Sequence, residues 1–66
     1  MIIIKKKRLA AGFRQVDICK KIGASQSGYS AIESGKRIPT LKKLIKLAQI
    51  YNCTVDDLLD QQEVEN

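Results

Sequence analysis

The chain has 66 residues, 44% hydrophobic and 29% charged, with twelve Lys and Arg against seven Asp and Glu and no His. That is one small domain with a single core, of ordinary globular composition. It has no apolar run near the length of a membrane span, and Lys5-Lys6-Lys7-Arg8 follows Met1-Ile2-Ile3-Ile4 too early for a secretory leader, so the expected compartment is the cytoplasm.

Five short helices account for nearly every residue. The first is expected over about Ile3 to Ala11, stopped by Gly12. The second runs from Gln15 to Ile22, with Ile18 and Ile22 four apart on one face. Arg14 stands where an N-cap Ser, Thr or Asn would be preferred, which predicts a weakly started helix. After Gly23-Ala24, Ser25 caps a third helix from Gln26 to Ser34, ended by Gly35. Gly28 lies inside that helix and lowers its intrinsic stability by roughly 1 kcal/mol relative to Ala. Thr40 caps a fourth helix over about Leu41 to Asn52, with an expected core stripe of Leu41, Leu44, Leu47, Ala48 and Tyr51. Thr54 caps a fifth, about Val55 to Asp60, with Asp56 and Asp57 well placed in its first turn. Residues 1–60 form the expected domain, with 61–66 an acidic tail.

Charge is strongly polarised. All twelve cations fall within residues 1–46, giving +10 there, whereas the last twenty residues carry −5 and no cation. A basic half of this kind suits a polyanionic partner. Cys19 and Cys53 cannot build a zinc site without His, and both sit at core-like positions, so no metal or cofactor is expected. No nucleophile is paired with a base, which argues against an enzyme.

The pair of helices over about residues 15–34 has the pattern of a helix-turn-helix, whose second helix reads a DNA major groove. On a helical wheel Gly28, Tyr29 and Ile32 point inward. Gln26, Ser27, Ser30, Ala31 and Ser34 point outward, and Glu33 lies on the edge between the two faces. The outward face has one long polar side chain and otherwise only Ser and Ala, instead of the Lys and Glu of a solubility face. Gln26 suits a bidentate contact to adenine, Ala31 a thymine methyl, and Ser27 and Ser30 are permissive hydrogen-bonding groups. Arg14, Gln15, Ser34, Lys36 and Arg37 flank this face as candidate phosphate contacts. Ile50, between Lys43 and Lys46 on the polar side of the fourth helix, and Leu58 are candidates for a dimer contact.

Arg8, Gly12, Gln15, Ile18-Cys19, Ile22-Gly23, Tyr29, Ile32-Glu33, Gly35-Lys36, Pro39-Thr40-Leu41, Leu47-Ala48 and Asp57-Leu58-Leu59 together resemble the lambda-repressor and Cro-like, or XRE-type, helix-turn-helix family. The resemblance covers about Ile4 to Leu59 and implies an all-α, five-helix DNA-binding domain. It implies a transcriptional regulator, most often a repressor that binds double-stranded DNA at inverted repeats as a homodimer. It also implies an ion pair between Arg8 and Glu33, with DNA contacts at Gln15, Gln26, Ser27 and Ser30. The rival expectation is an antitoxin or small phage protein acting mainly through a protein partner such as a toxin, bound by the acidic tail.

Overall fold

The computed structural model describes residues 1–59. The expected tail at 61–66 and Asp60 lie outside the described residues; the fifth helix, expected to run to about Asp60, ends at Leu58, with Leu59 extended. Five helices follow one another: α1 (Ile2–Ala10), α2 (Gln15–Ile22), α3 (Gln26–Ser34), α4 (Leu41–Ile50) and α5 (Val55–Leu58). There is no strand among the described residues, and none of their helices is long and apolar enough to cross a membrane. The fold is all-α.

Ile4 of α1, Ile18 and Ile22 of α2, Tyr29 and Ile32 of α3, Leu44 and Leu47 of α4 and Leu58 of α5 close around one core. Each helix contributes its apolar stripe, so no helix can be stripped away without exposing the others. Helices α2 and α3 pack as consecutive neighbours across the Gly23 turn, and α1 and α4 brace them from behind.

Local chemistry sets the helix ends. Ser25 and Thr40 are N-caps, their hydroxyls accepting from the Gly28 amide at 3.1 Å and the Lys43 amide at 3.3 Å. Gly35, at φ +86°, turns the chain off α3 in the left-handed region, and the Lys36 amide reaches back to the Ala31 carbonyl at 2.9 Å. Helix α4 stops two residues earlier than its sequence pattern suggests. Asn52 adopts φ +55°, and the Cys53 amide bonds the Ala48 carbonyl at 2.9 Å. Asparagine tolerates that conformation better than other side-chain-bearing residues, so it serves as the stop signal in place of glycine. At the other end of the chain, the Met1 ammonium donates to the Ile32 and Glu33 carbonyls at 2.9 and 3.2 Å, tying the start of α1 to the end of α3.

Three expectations about packing are corrected. Leu41, assigned to the core stripe, is 65% exposed. It occupies the first turn of α4, where the Pro39-Thr40 entry holds it at the rim of the core. Leu58, a candidate dimer residue, is fully buried, because α5 packs into the gap between α1 and α4. Ile50, read as an isolated apolar residue on a polar face, is half-buried against the core. It lines a groove shared with Ile3, Ala10 and Ala11 at α1.

Candidate nucleic-acid interface

Two faces of α3 differ completely in environment. Gly28, Tyr29, Ile32 and Glu33 are buried, while Gln26, Ser27, Ser30 and Ser34 are exposed and Ala31 is half-exposed. Glu33 thus belongs inside and not on the edge. Its place is set by a network that fixes the back of α3. Arg8 Nε and Nη2 donate to the two Glu33 carboxylate oxygens at 2.6 and 3.1 Å, and Arg8 Nη1 donates to the Phe13 carbonyl at 2.9 Å. The Gln15 side-chain amide donates to Glu33 Oε1 at 3.0 Å. One carboxylate therefore joins α1, α2 and α3 through a two-pronged charged contact, the strongest kind of side-chain hydrogen bond.

The balance of forces on Glu33 is legible. Burial pushes its carboxyl up, but the hydrogen bonds from Arg8, with the nearby Tyr29 hydroxyl and the Gln15 amide, outweigh that and hold it below its ordinary value. It stays ionised at neutral pH. The Tyr29 phenol moves the other way, raised first by burial and then by the nearby carboxylate, so it stays neutral.

The expected phosphate contacts fall into three situations. Lys36 and Arg37 are exposed in the turn after α3. Both backbone amides there bond the Ala31 carbonyl, at 2.9 and 3.2 Å, so the turn is fixed against the helix. Arg14 projects at the start of α2 with its side chain 78% exposed. The Gln15 side chain faces inward to Glu33, leaving its backbone amide at the start of α2 as its route to an anion. The Ser34 hydroxyl donates to the Ala31 carbonyl at 3.1 Å, so it reaches a phosphate only by giving up that bond.

The start of α2 is firmer than Arg14 alone suggests. No side-chain oxygen of Arg14 exists to accept from the helix, but Asp17 accepts from the Arg14 amide at 2.9 Å. The Arg14 guanidinium closes the loop on the same carboxylate at 3.0 and 3.2 Å. These contacts, the Arg14 side chain first, hold the Asp17 carboxyl below its ordinary range. The signal was present in the sequence as an acid three residues after the cap position, which is half of a capping box.

The chain is similar in sequence and in fold to known proteins. A family model described as "Helix-turn-helix" matches residues 4–58. An uncharacterized HTH-type transcriptional regulator of Methanocaldococcus jannaschii is 32% identical over 62 residues, covering 94% of both chains. The cryptic phage CTXphi transcriptional repressor RstR of Vibrio cholerae is 31% identical over 55 residues, which is 83% of this chain and 49% of the repressor. Among solved structures, the N-terminal DNA binding domain of SinR from Bacillus subtilis superposes with a TM-score of 0.77 at 28% identity, covering 89% of this chain and 87% of that one.

Proposed function

The chain belongs to the helix-turn-helix family, and from that premise we propose that it is a sequence-specific, DNA-binding transcriptional regulator and not an enzyme. The observation that carries the reading is the asymmetry of α3. Its buried face is locked to α1 and α2 through Glu33, and its exposed face carries Gln26, Ser27, Ser30 and Ala31 without a long charged side chain. A helix held rigidly from behind and lined in front with small polar groups fits the wall of a major groove closely enough to read base edges. In this reading Gln26 and Ser27 contact bases first, with Ser30 and Ala31 one turn on. Arg14, Lys36, Arg37 and the Gln15 amide hold the flanking phosphates.

The finer reading is a cytoplasmic repressor acting as a homodimer on a pseudo-palindromic operator. Support for repression comes from the phage repressor among the relatives. Support for pairing comes from the size of the domain, since a single module of this kind buries little DNA surface and gains from a two-fold partner. With Leu58 in the core, that contact must use other residues. Ile38, Leu41 and Ile45 are 86%, 65% and 43% exposed around the start of α4 and supply an apolar surface for it.

The test is fluorescence anisotropy against a labelled mixed-sequence duplex over a salt series, with sedimentation velocity on the free and bound protein. Binding that weakens steeply with salt, at two protein chains per site, is the expected result. No binding at low salt would refute the DNA-binding reading and direct the search to a protein partner.

A further inference from the structure

On the inner side of α3, Tyr29 and Glu33 stand four apart and both are buried, which sets their side chains one above the other on the same side of the helix. An ionised carboxylate offers about four acceptor sites on its two oxygens. At Glu33, Oε1 accepts from Arg8 and Gln15, and Oε2 from Arg8 alone. One site on Oε2 remains, on a side chain only 3% exposed. The other groups facing Glu33 are committed elsewhere. Cys19 Sγ donates to the Ser25 carbonyl at 3.7 Å, and the Met1 ammonium donates to the Ile32 and Glu33 carbonyls.

Two hydroxyls are buried and make no hydrogen bond among the described residues, those of Tyr29 and Tyr51. A phenol taken into a core ordinarily finds a partner, because an unpaired donor there has given up its hydration for nothing. Tyr29 is fully buried one turn before Glu33. Tyr51 ends α4 and lines the groove beside α1 with Lys7, Ala10 and Ala11. That is the level at which Arg8 leaves α1 for Glu33, and the Tyr51 hydroxyl is on the buried side of the ring. The electrostatics agree with this proximity. The Tyr29 phenol is raised by burial first and by Glu33 next, while burial raises Tyr51 and the Tyr29 hydroxyl lowers it.

We propose that the two hydroxyls close into a relay, Tyr51 donating to Tyr29 and Tyr29 donating to Glu33 Oε2. Two orphaned donors and one open carboxylate site are satisfied by these two bonds. Tyr51 is then a positioning residue, joining α4 to the three helices already tied through Glu33. Its bearing on DNA rests on the reading above: bonds in a chain strengthen one another, and a helix fixed from four sides loses less freedom when it docks in a groove.

The Glu33 side-chain carboxyl carbon, followed by NMR through an acid titration in the wild-type chain, Tyr29→Phe, Tyr51→Phe and the pair, tests the relay. Each lost donor should raise the Glu33 midpoint, by about 0.5–1 in Tyr29→Phe and about 0.2–0.5 in Tyr51→Phe. In the Tyr29→Phe background, Tyr51→Phe should add nothing, since its route to the carboxylate runs through Tyr29. Packing alone gives no such dependence, because phenylalanine keeps the ring. An unmoved midpoint in Tyr51→Phe, or an equal rise with and without the Tyr29 hydroxyl, would overturn the relay. Affinity of the folded chain for a labelled mixed-sequence duplex tests the positioning: Tyr51→Phe should weaken it about two- to fivefold, and wild-type affinity would overturn that role. A wild-type chain that binds no duplex would refute the DNA-binding reading and the positioning with it, leaving the relay to the titration. Should a variant not fold, or acid unfold the chain first, a crystal structure of the wild-type chain decides. Both oxygen–oxygen separations should be about 2.6–3.0 Å, and either one beyond about 3.5 Å refutes the relay.

Discussion

Replacing Arg8 with Ala is the most severe single change the fold offers at a polar residue. Arg8 and Glu33 are 8% and 7% exposed. Arg8→Ala removes both donors to the Glu33 carboxylate and the donor to the Phe13 carbonyl. What remains is an ionised carboxylate in the interior, with Gln15 its main surviving donor. Breaking a buried pair from one side costs about 3–5 kcal/mol, because the orphaned charge keeps its desolvation penalty. A domain of this size has a total stability of only about 3–10 kcal/mol. At about 4–8 °C per kcal/mol, the melting temperature should fall by more than about 12 °C, and the weaker end of the range leaves the chain unfolded at room temperature. Circular dichroism melts and urea titration at neutral pH measure this. The companion variant Arg8→Met/Glu33→Leu removes both charges and fills the space, and it should recover most of the loss. A shift of less than about 3 °C in Arg8→Ala, or no recovery in the double variant, would refute the account of Glu33 as the joint of three helices.

Acid should weaken the same joint. The Glu33 carboxyl is held below its ordinary value of 4.5, so its contribution is fully present above that pH and is lost as pH falls through the lower native value. Asp17 and Asp57 are also depressed and add to acid sensitivity. The Glu33 share is therefore the part of the stability–pH slope that disappears in Glu33→Gln, and an unchanged slope would contradict it. Leu58→Ala should cost about 2–5 kcal/mol in urea unfolding through the cavity left in the core. Leu41→Lys should leave the stability of the unpaired chain, measured by urea unfolding at a concentration too low for pairing, within about 0.5 kcal/mol of wild type, against what its place in the hydrophobic pattern suggests. Lys36→Ala should weaken binding to every duplex alike and reduce the salt slope by about one, whereas a loss confined to one sequence would make Lys36 a base reader.

Which parts of this molecule can be read in advance follows from the range of the forces involved. Helix α3 has the predicted limits because a cap, a turn residue and an apolar spacing coincide at its ends, whereas α2 starts as predicted because Asp17 accepts from the Arg14 amide where Arg14 offers no side-chain oxygen. Helix α4 runs short of the pattern because Asn52 does a glycine's work, which residue type alone does not announce. Leu41 and Leu44 look equivalent in the apolar spacing; only the path of the chain through Pro39 decides that one is at the rim and the other inside. Leu58 and Ile50 depart from expectation for a similar reason, since burial there depends on α1, far away in sequence. The outward face of α3 is legible as a period, but the bonds from the Met1 ammonium to the Ile32 and Glu33 carbonyls are not. They join the two ends of a three-helix stretch, and no local rule relates residues so far apart in sequence.

Selection of bound duplexes from a random DNA pool at near-physiological salt, followed by sequencing, tests the central claim that the exposed face of α3 reads bases. The expected result is an enriched inverted repeat with half-sites about 34 Å apart, one turn of DNA. Repeating the selection with Gln26→Ala should relax preference at one base pair of each half-site, at a cost of about 1–3 kcal/mol on the wild-type site. A pool that stays flat for the wild-type chain, or a motif that Gln26→Ala leaves unaltered, would contradict it.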